Sequence, residues 1–83
     1  MSTLKPSPSH NAVIYAILAI NSEVALQKDY LDSGDVPSED ADNEAEILDE
    51  LEQAFMEFVE IYKTRLKLDK TLPSLDELLN SQL

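Results

Sequence analysis

The segment Ala12–Leu31 is the most apolar part of the chain, and at helical spacing it is apolar on two sides. The first stripe consists of Val13, Ile17, Ile20, Val24 and Leu31. The second stripe, on roughly the opposite side, consists of Tyr15, Ala19, Ser22, Leu26 and Tyr30. A helix with a single neighbour needs only one apolar face. Because the chain supplies only one other long helix, we expect one of the two stripes to contact another protein chain.

The composition places the chain among small all-α proteins. Its 83 residues form one domain at most. The absence of cysteine excludes disulfides and thiolate metal sites. With a single glycine the chain has no glycine-rich phosphate loop, and a turn-rich β fold is disfavoured. The many Ala, Leu, Glu and Asp residues indicate long helices joined by few loops.

The charge is strongly negative and unevenly placed. Seventeen acidic against six basic residues give a net charge of −11, and thirteen acids with no base lie between Asp29 and Glu60. Such a field repels nucleic acid and anionic membranes and favours a basic protein partner. The apolar run from Ala12 stops at Asn21, short of the roughly 20 residues of a membrane span. We expect a cytoplasmic protein that binds neither nucleic acid nor membrane directly.

Capping signals divide the chain into an arm and three helices. Residues 1–9 contain two prolines and three serines and predict a flexible arm. The first helix is expected over about residues 10–32, capped by Ser9 or Asn11. The only glycine, Gly34, follows it in the position where a left-handed residue closes a helix.

The second helix is expected over about residues 39–68, and its start has two alternatives. Either Ser38 caps it, or Asn43 does. After Pro73, the sequence Ser74-Leu75-Asp76-Glu77 forms a capping box for a short helix over about residues 74–81.

The short connection predicts that the two long helices pack as an antiparallel hairpin. Two hairpins related by a two-fold axis would bury the remaining stripe and form a four-helix bundle. The alternative is a monomer in which Leu75–Leu83 folds back over that stripe. Which stripe faces the sister helix and which faces the second chain stays open at this stage. The candidate self-association residues are Val13, Tyr15, Ile17, Ile20, Val24, Leu26 and Tyr30.

No sequence pattern indicates catalysis, a cofactor or a metal. His10 is the only histidine and has no sequence partner, so a solvated side chain is expected. The helical carboxylate pairs lie mainly on the face opposite the apolar residues, which favours a solvated face over a metal site. Arg65 falls inside the apolar stripe of the second helix, with Asp69 one turn away. Its head group either extends to solvent or forms an ion pair between subunits.

The acidic face of the second helix is the remaining candidate for binding. Carboxylates at helical spacing stand about 5–6 Å apart, similar to successive phosphates along a strand. The chain is therefore expected to be a non-enzymatic interaction or regulatory module that acts as a homodimer and binds a basic protein. The alternative is a DNA-mimicking inhibitor that blocks a nucleic-acid-binding protein. The candidate partner-binding residues are Glu46, Asp49, Glu50, Glu57 and Glu60.

Overall fold

The computed structural model describes residues 8–80 and is built of three α-helices. Helix α1 spans His10–Asp32, α2 spans Ala41–Leu68 and α3 spans Leu75–Asn80. The described residues contain no strand, so the predicted all-α fold is confirmed. The predicted arm, apart from its last two residues, and the predicted last residue of the third helix lie outside the described residues. None of the three helices is both long and apolar enough to cross a membrane.

Helix α1 begins and ends where its capping residues predict. The Ser9 hydroxyl accepts a hydrogen bond from the backbone N–H of Ala12 at 3.0 Å, so Ser9 rather than Asn11 is the N-cap. After the helix, Gly34 adopts φ of +82°, the left-handed region that suits a residue without Cβ. The chain then turns toward α2.

Helix α2 starts at neither predicted cap. Its N-cap is Asp40, whose side chain makes no capping hydrogen bond. The N–H of Asp40 donates to the carbonyl of Pro37 at 2.9 Å, which closes a tight turn over the residues expected to begin the helix. The N–H of Glu44 donates to the carbonyl of Asp40 at 2.9 Å and continues the chain into the helix. The turn after Pro37 therefore delays the helix to Ala41, two residues past the predicted start.

Two contacts at opposite ends show that α1 and α2 run antiparallel. Near the connection, the side-chain amide of Gln27 donates to the backbone carbonyl of Glu44 at 2.9 Å and to its carboxylate at 2.8 Å. At the other end, Arg65 near the end of α2 lies beside His10 at the start of α1. The predicted helical hairpin is therefore confirmed for a single chain.

The core of the hairpin contains two residues of the first stripe of α1. Val13 and Ile17 are both 0% exposed and cluster with Tyr62 of α2 and Leu78 of α3. Burying a side chain of this size stabilises the folded state by about 1.5–3 kcal/mol. Partly buried apolar residues surround this cluster: Ile14, Leu18, Phe55, Phe58, Leu66, Leu72, Leu75 and Leu79.

Helix α3 closes one end of this core. Its predicted capping box is present, because the N–H of Glu77 donates to the Ser74 hydroxyl and the N–H of Ser74 donates to the Glu77 carboxylate, both at 3.1 Å. Its buried residue Leu78 packs against the first stripe. The alternative in which the C-terminal segment covers the second stripe is therefore wrong for the described part of that segment.

Candidate protein interaction surface

The second stripe of α1 faces away from the other helices of the described residues. Tyr15 is 69% exposed, Leu26 62% and Tyr30 39%, and the small residues Ala19 and Ser22 between them are also exposed. The stripe lies opposite Val13 and Ile17, so the packing that buries the first stripe leaves the second in water. A line of exposed tyrosine and leucine side chains along one face of a helix is a candidate protein-binding surface.

The structure divides the predicted self-association residues between core and surface. Val13 and Ile17 are fully buried by α2 and α3 within one chain, so assigning these two residues to an intermolecular surface was wrong. Ile20 and Val24 lie on the same side and are half-buried. Sequence alone could not choose between the stripes, since both have helical spacing.

The predicted acidic face is exposed along α2. Its five residues are all solvent-exposed: Glu46, Asp49, Glu50, Glu57 and Glu60. Glu60 lies 3.3 Å from the Lys63 ammonium, so one of these charges is partly balanced within the helix.

Met56 provides an apolar centre within the acidic face. It is 53% exposed and lines an open surface depression of about 430 Å³. The other lining residues are polar or acidic: Asp49, Glu52, Gln53 and Glu57. The Lys28 ammonium of α1 lies 3.6 Å from the Glu52 carboxylate and ties one rim of the depression to α1. The depression therefore combines a flexible apolar side chain with negative charge, a combination suited to a basic partner.

A polar cluster joins the start of α1 to the end of α2. Arg65 Nη1 lies 3.0 Å from His10 Nδ1, and His10 Nε2 lies 3.8 Å from the Asp69 carboxylate. The Asp69 carboxylate also accepts the Thr71 hydroxyl at 2.6 Å and the Thr71 N–H at 3.0 Å. These two hydrogen bonds, chiefly the one from the hydroxyl, lower the pKa of Asp69, with a smaller contribution from His10.

His10 therefore differs from its sequence-based expectation of a solvated side chain. It is half-buried and contacts Arg65 in its own chain. One signal in the sequence did point here: Arg65 lies in an apolar stripe at the end of α2, and an antiparallel hairpin brings that end beside the start of α1. Among residues 8–80, no group of three His, Asp or Glu side chains is placed to hold a metal ion.

The fully buried Tyr62 brings a polar group into the core. Its hydroxyl donates to the backbone carbonyl of Pro73 at 2.6 Å. Burial raises the pKa of Tyr62, and the charges of Glu77 and Asp69 raise it further. The phenol thus fixes the segment that leads into α3.

No known protein family, no curated protein and no solved structure matches this chain.

Proposed function

We propose that the chain is a small non-enzymatic interaction or regulatory module that acts as a homodimer and binds a basic protein. The observation that carries this proposal is the exposure of the second stripe of α1, while Val13 and Ile17 of the first stripe are fully buried in the core of one chain. Hairpins paired through their second stripes would form a four-helix bundle with the α1 helices at its centre.

The size and chemistry of the stripe support self-association. From Tyr15 to Tyr30 it extends about 22 Å along the helix at 1.5 Å per residue. Tyrosine and leucine remove large apolar surfaces from water when they form a contact, and tyrosine is enriched at protein interfaces. A chain of this length buries a thin core, so pairing would also add stability that the single hairpin lacks.

The solution mass tests the proposed dimer. Sedimentation equilibrium should give a dimer for the native chain and a monomer of unchanged helicity for Leu26→Asp, since the aspartate would be buried unpaired at the interface. The matched control Ala45→Asp adds the same charge at an exposed position of α2 and should stay dimeric. A native chain that sediments as a monomer at all concentrations would contradict the proposal.

The second candidate function is an acidic inhibitor that mimics DNA and blocks a nucleic-acid-binding protein. The exposed acidic face of α2, with Met56 at its centre, is the observation that favours it. Binding of this kind depends on many charge pairs and weakens steeply as salt screens them. Self-association through an apolar stripe should instead persist as salt rises.

Competition for a basic protein tests the second candidate. The native chain should displace a labelled DNA duplex from a basic DNA-binding protein at low salt and lose this activity at high salt. Neutralising the acidic face should abolish displacement. The four substitutions are Asp49→Asn, Glu50→Gln, Glu57→Gln and Glu60→Gln. The control neutralises four acids at the other positions Asp29, Asp32, Asp35 and Glu39, and equal loss in both variants would show a dependence on net charge rather than on this face.

A further inference from the structure

We infer that the second stripe binds the second stripe of another copy in an antiparallel orientation, centred between Ser22 and Glu23. This inference rests on the proposed homodimer and adds its orientation and register. Its physical basis is the order of side chains along the exposed face of α1 and the distribution of charge between the two ends of the hairpin.

The order of side chains along the second stripe suits pairing with an antiparallel copy of itself. Tyr15 and Tyr30 are equally far from the point between residues 22 and 23, and so are Ala19 and Leu26. Antiparallel pairing about that point places each leucine opposite an alanine of the second copy. It also places each tyrosine opposite a tyrosine. A large side chain opposite a small one lets two helices approach closely, as dense packing requires.

Parallel pairing would match these residues poorly. It would place Leu26 opposite Leu26 and Ala19 opposite Ala19 of the second copy. The helices would then be held apart at Leu26 and would leave a gap at Ala19. Helices that pack closely interdigitate large and small residues. Tyrosine faces tyrosine in both orientations, so residues 19 and 26 decide between them. The side-chain order therefore favours the antiparallel arrangement.

The charge distribution selects the same orientation. The end of the hairpin at the connection carries six acids and no base: Asp29, Asp32, Asp35, Glu39, Asp40 and Asp42. The opposite end carries four bases, Lys63, Arg65, Lys67 and Lys70, together with three acids, Asp69, Asp76 and Glu77, so its net charge is close to zero. Parallel pairing would bring both acidic ends together. Antiparallel pairing places each acidic end beside the nearly neutral end of the other copy. It separates the two acidic ends by about 28 Å along the axis, more than three times the screening length of about 8 Å at physiological salt.

Disulfide cross-linking tests the register, because the native chain has no cysteine. We would prepare Ala19→Cys, Leu26→Cys and Ser22→Cys, all at exposed positions. In the inferred register, residue 19 of one copy faces residue 26 of the other. Two copies of residue 19 lie about 10 Å apart along the axis, as do two copies of residue 26, beyond the reach of a disulfide.

The expected result is a mixed disulfide in an equimolar mixture of Ala19→Cys and Leu26→Cys. Mass spectrometry identifies it, since the two variants differ in mass. Each variant alone should cross-link about tenfold less, because the Cα–Cα distance exceeds the disulfide range. The mixed dimer keeps one native Leu26–Ala19 pair, so it retains half of that contact. Ser22→Cys, close to the axis in either orientation, should cross-link with itself and serves as the positive control.

Each other outcome overturns a defined part of the inference. Efficient cross-linking of Ala19→Cys with itself would show parallel pairing and would leave the homodimer in place. A native dimer in which Ser22→Cys fails to cross-link would place the interface elsewhere and overturn the register. A native chain that sediments as a monomer would overturn the proposed homodimer together with its register.

Discussion

Arg65 Nη1 lies 3.0 Å from His10 Nδ1, although 55 positions separate these residues in the chain. Because a guanidinium only donates hydrogen bonds, His10 Nδ1 must accept, so a neutral imidazole here carries its proton on Nε2, the atom that faces Asp69. The contact holds the start of α1 against the end of α2, at the end of the hairpin away from the connection. At the other end, beside the connection between α1 and α2, Gln27 donates two hydrogen bonds to Glu44.

A double-mutant cycle at His10 and Arg65 should measure their contact. We expect His10→Ala and Arg65→Met each to lower the free energy of unfolding at neutral pH. The coupling between them should be about 0.5–1.5 kcal/mol, typical of one intramolecular hydrogen bond. Methionine keeps the packing of the arginine stem, so the cycle isolates the polar contact. Additive effects in chemical denaturation would show that the contact contributes nothing to stability.

The two stripes of α1 should respond differently to truncation. In the Leu26→Asp background, where self-association is removed, Ile17→Ala should lower the free energy of unfolding by about 2–5 kcal/mol, because it leaves a cavity among buried residues. Tyr15→Ala, a larger truncation at an exposed position, should change it by no more than about 0.5 kcal/mol. Urea denaturation of both variants measures the difference, and equal effects would contradict the assignment of the first stripe to the core.

Local signals in the sequence were sufficient for most helix ends. The Ser9 cap, the left-handed Gly34 and the Ser74–Glu77 capping box each depend on residues within four positions of one another, so short-range chemistry determines them. The start of α2 could not be found in this way. This start is also local, but Asp40 caps the helix without a side-chain hydrogen bond and a backbone hydrogen bond to Pro37 closes the preceding turn, so neither feature has a side-chain signature in the sequence.

The candidate interaction surface was harder to predict, because it is the stripe of α1 that α2 and α3 do not bury. Both stripes of α1 have the same periodicity, and only the packing of Tyr62 and Leu78 shows which stripe the core uses. The contact of His10 with Arg65 likewise joins residues far apart in the chain. Its signal, a charged residue in an apolar stripe, left two alternatives, a head group that extends to solvent or an ion pair between subunits, and neither identified His10.

The stabilising effect of the Tyr62 hydroxyl should disappear in alkali. The pKa of Tyr62 is raised above its ordinary value of 10.0, chiefly by burial, because the folded state favours the neutral phenol. The contribution of the hydroxyl to the free energy of unfolding is therefore complete below pH 10 and falls as the pH rises through the folded-state pKa. We expect Tyr62→Phe to cost about 1 kcal/mol at pH 7, the value of the hydrogen bond to Pro73. The difference from the native chain should shrink in alkali, and thermal unfolding across this range measures it. A constant difference would contradict the assignment.

Thr71 should control the acid titration of Asp69. Because the pKa of Asp69 is lowered from its ordinary value of 3.8, its contribution to stability is present above that pH and is lost as the pH falls through the folded-state pKa. Thr71→Val removes the hydroxyl donor and keeps the backbone N–H, so the pKa of Asp69 should rise toward 3.8. Carboxyl carbon chemical shifts followed by NMR report this change. Thr64→Val is the control, since the Thr64 hydroxyl donates to a backbone carbonyl within α2 and should leave Asp69 unchanged.

A side chain at position 34 should lower the free energy of unfolding because of the backbone conformation of Gly34 alone. A Cβ added at this position would have no atom within 4 Å, so steric contact with the rest of the chain cannot oppose it. The backbone, however, has φ of +82°, which costs an ordinary residue about 1–2 kcal/mol. We expect Gly34→Ala to lower the free energy of unfolding by that amount, and Gly34→Asn by less, since asparagine enters the left-handed region more readily. Urea denaturation of the two variants would measure the order, and an alanine variant as stable as the native chain would show that the connection changes conformation without cost.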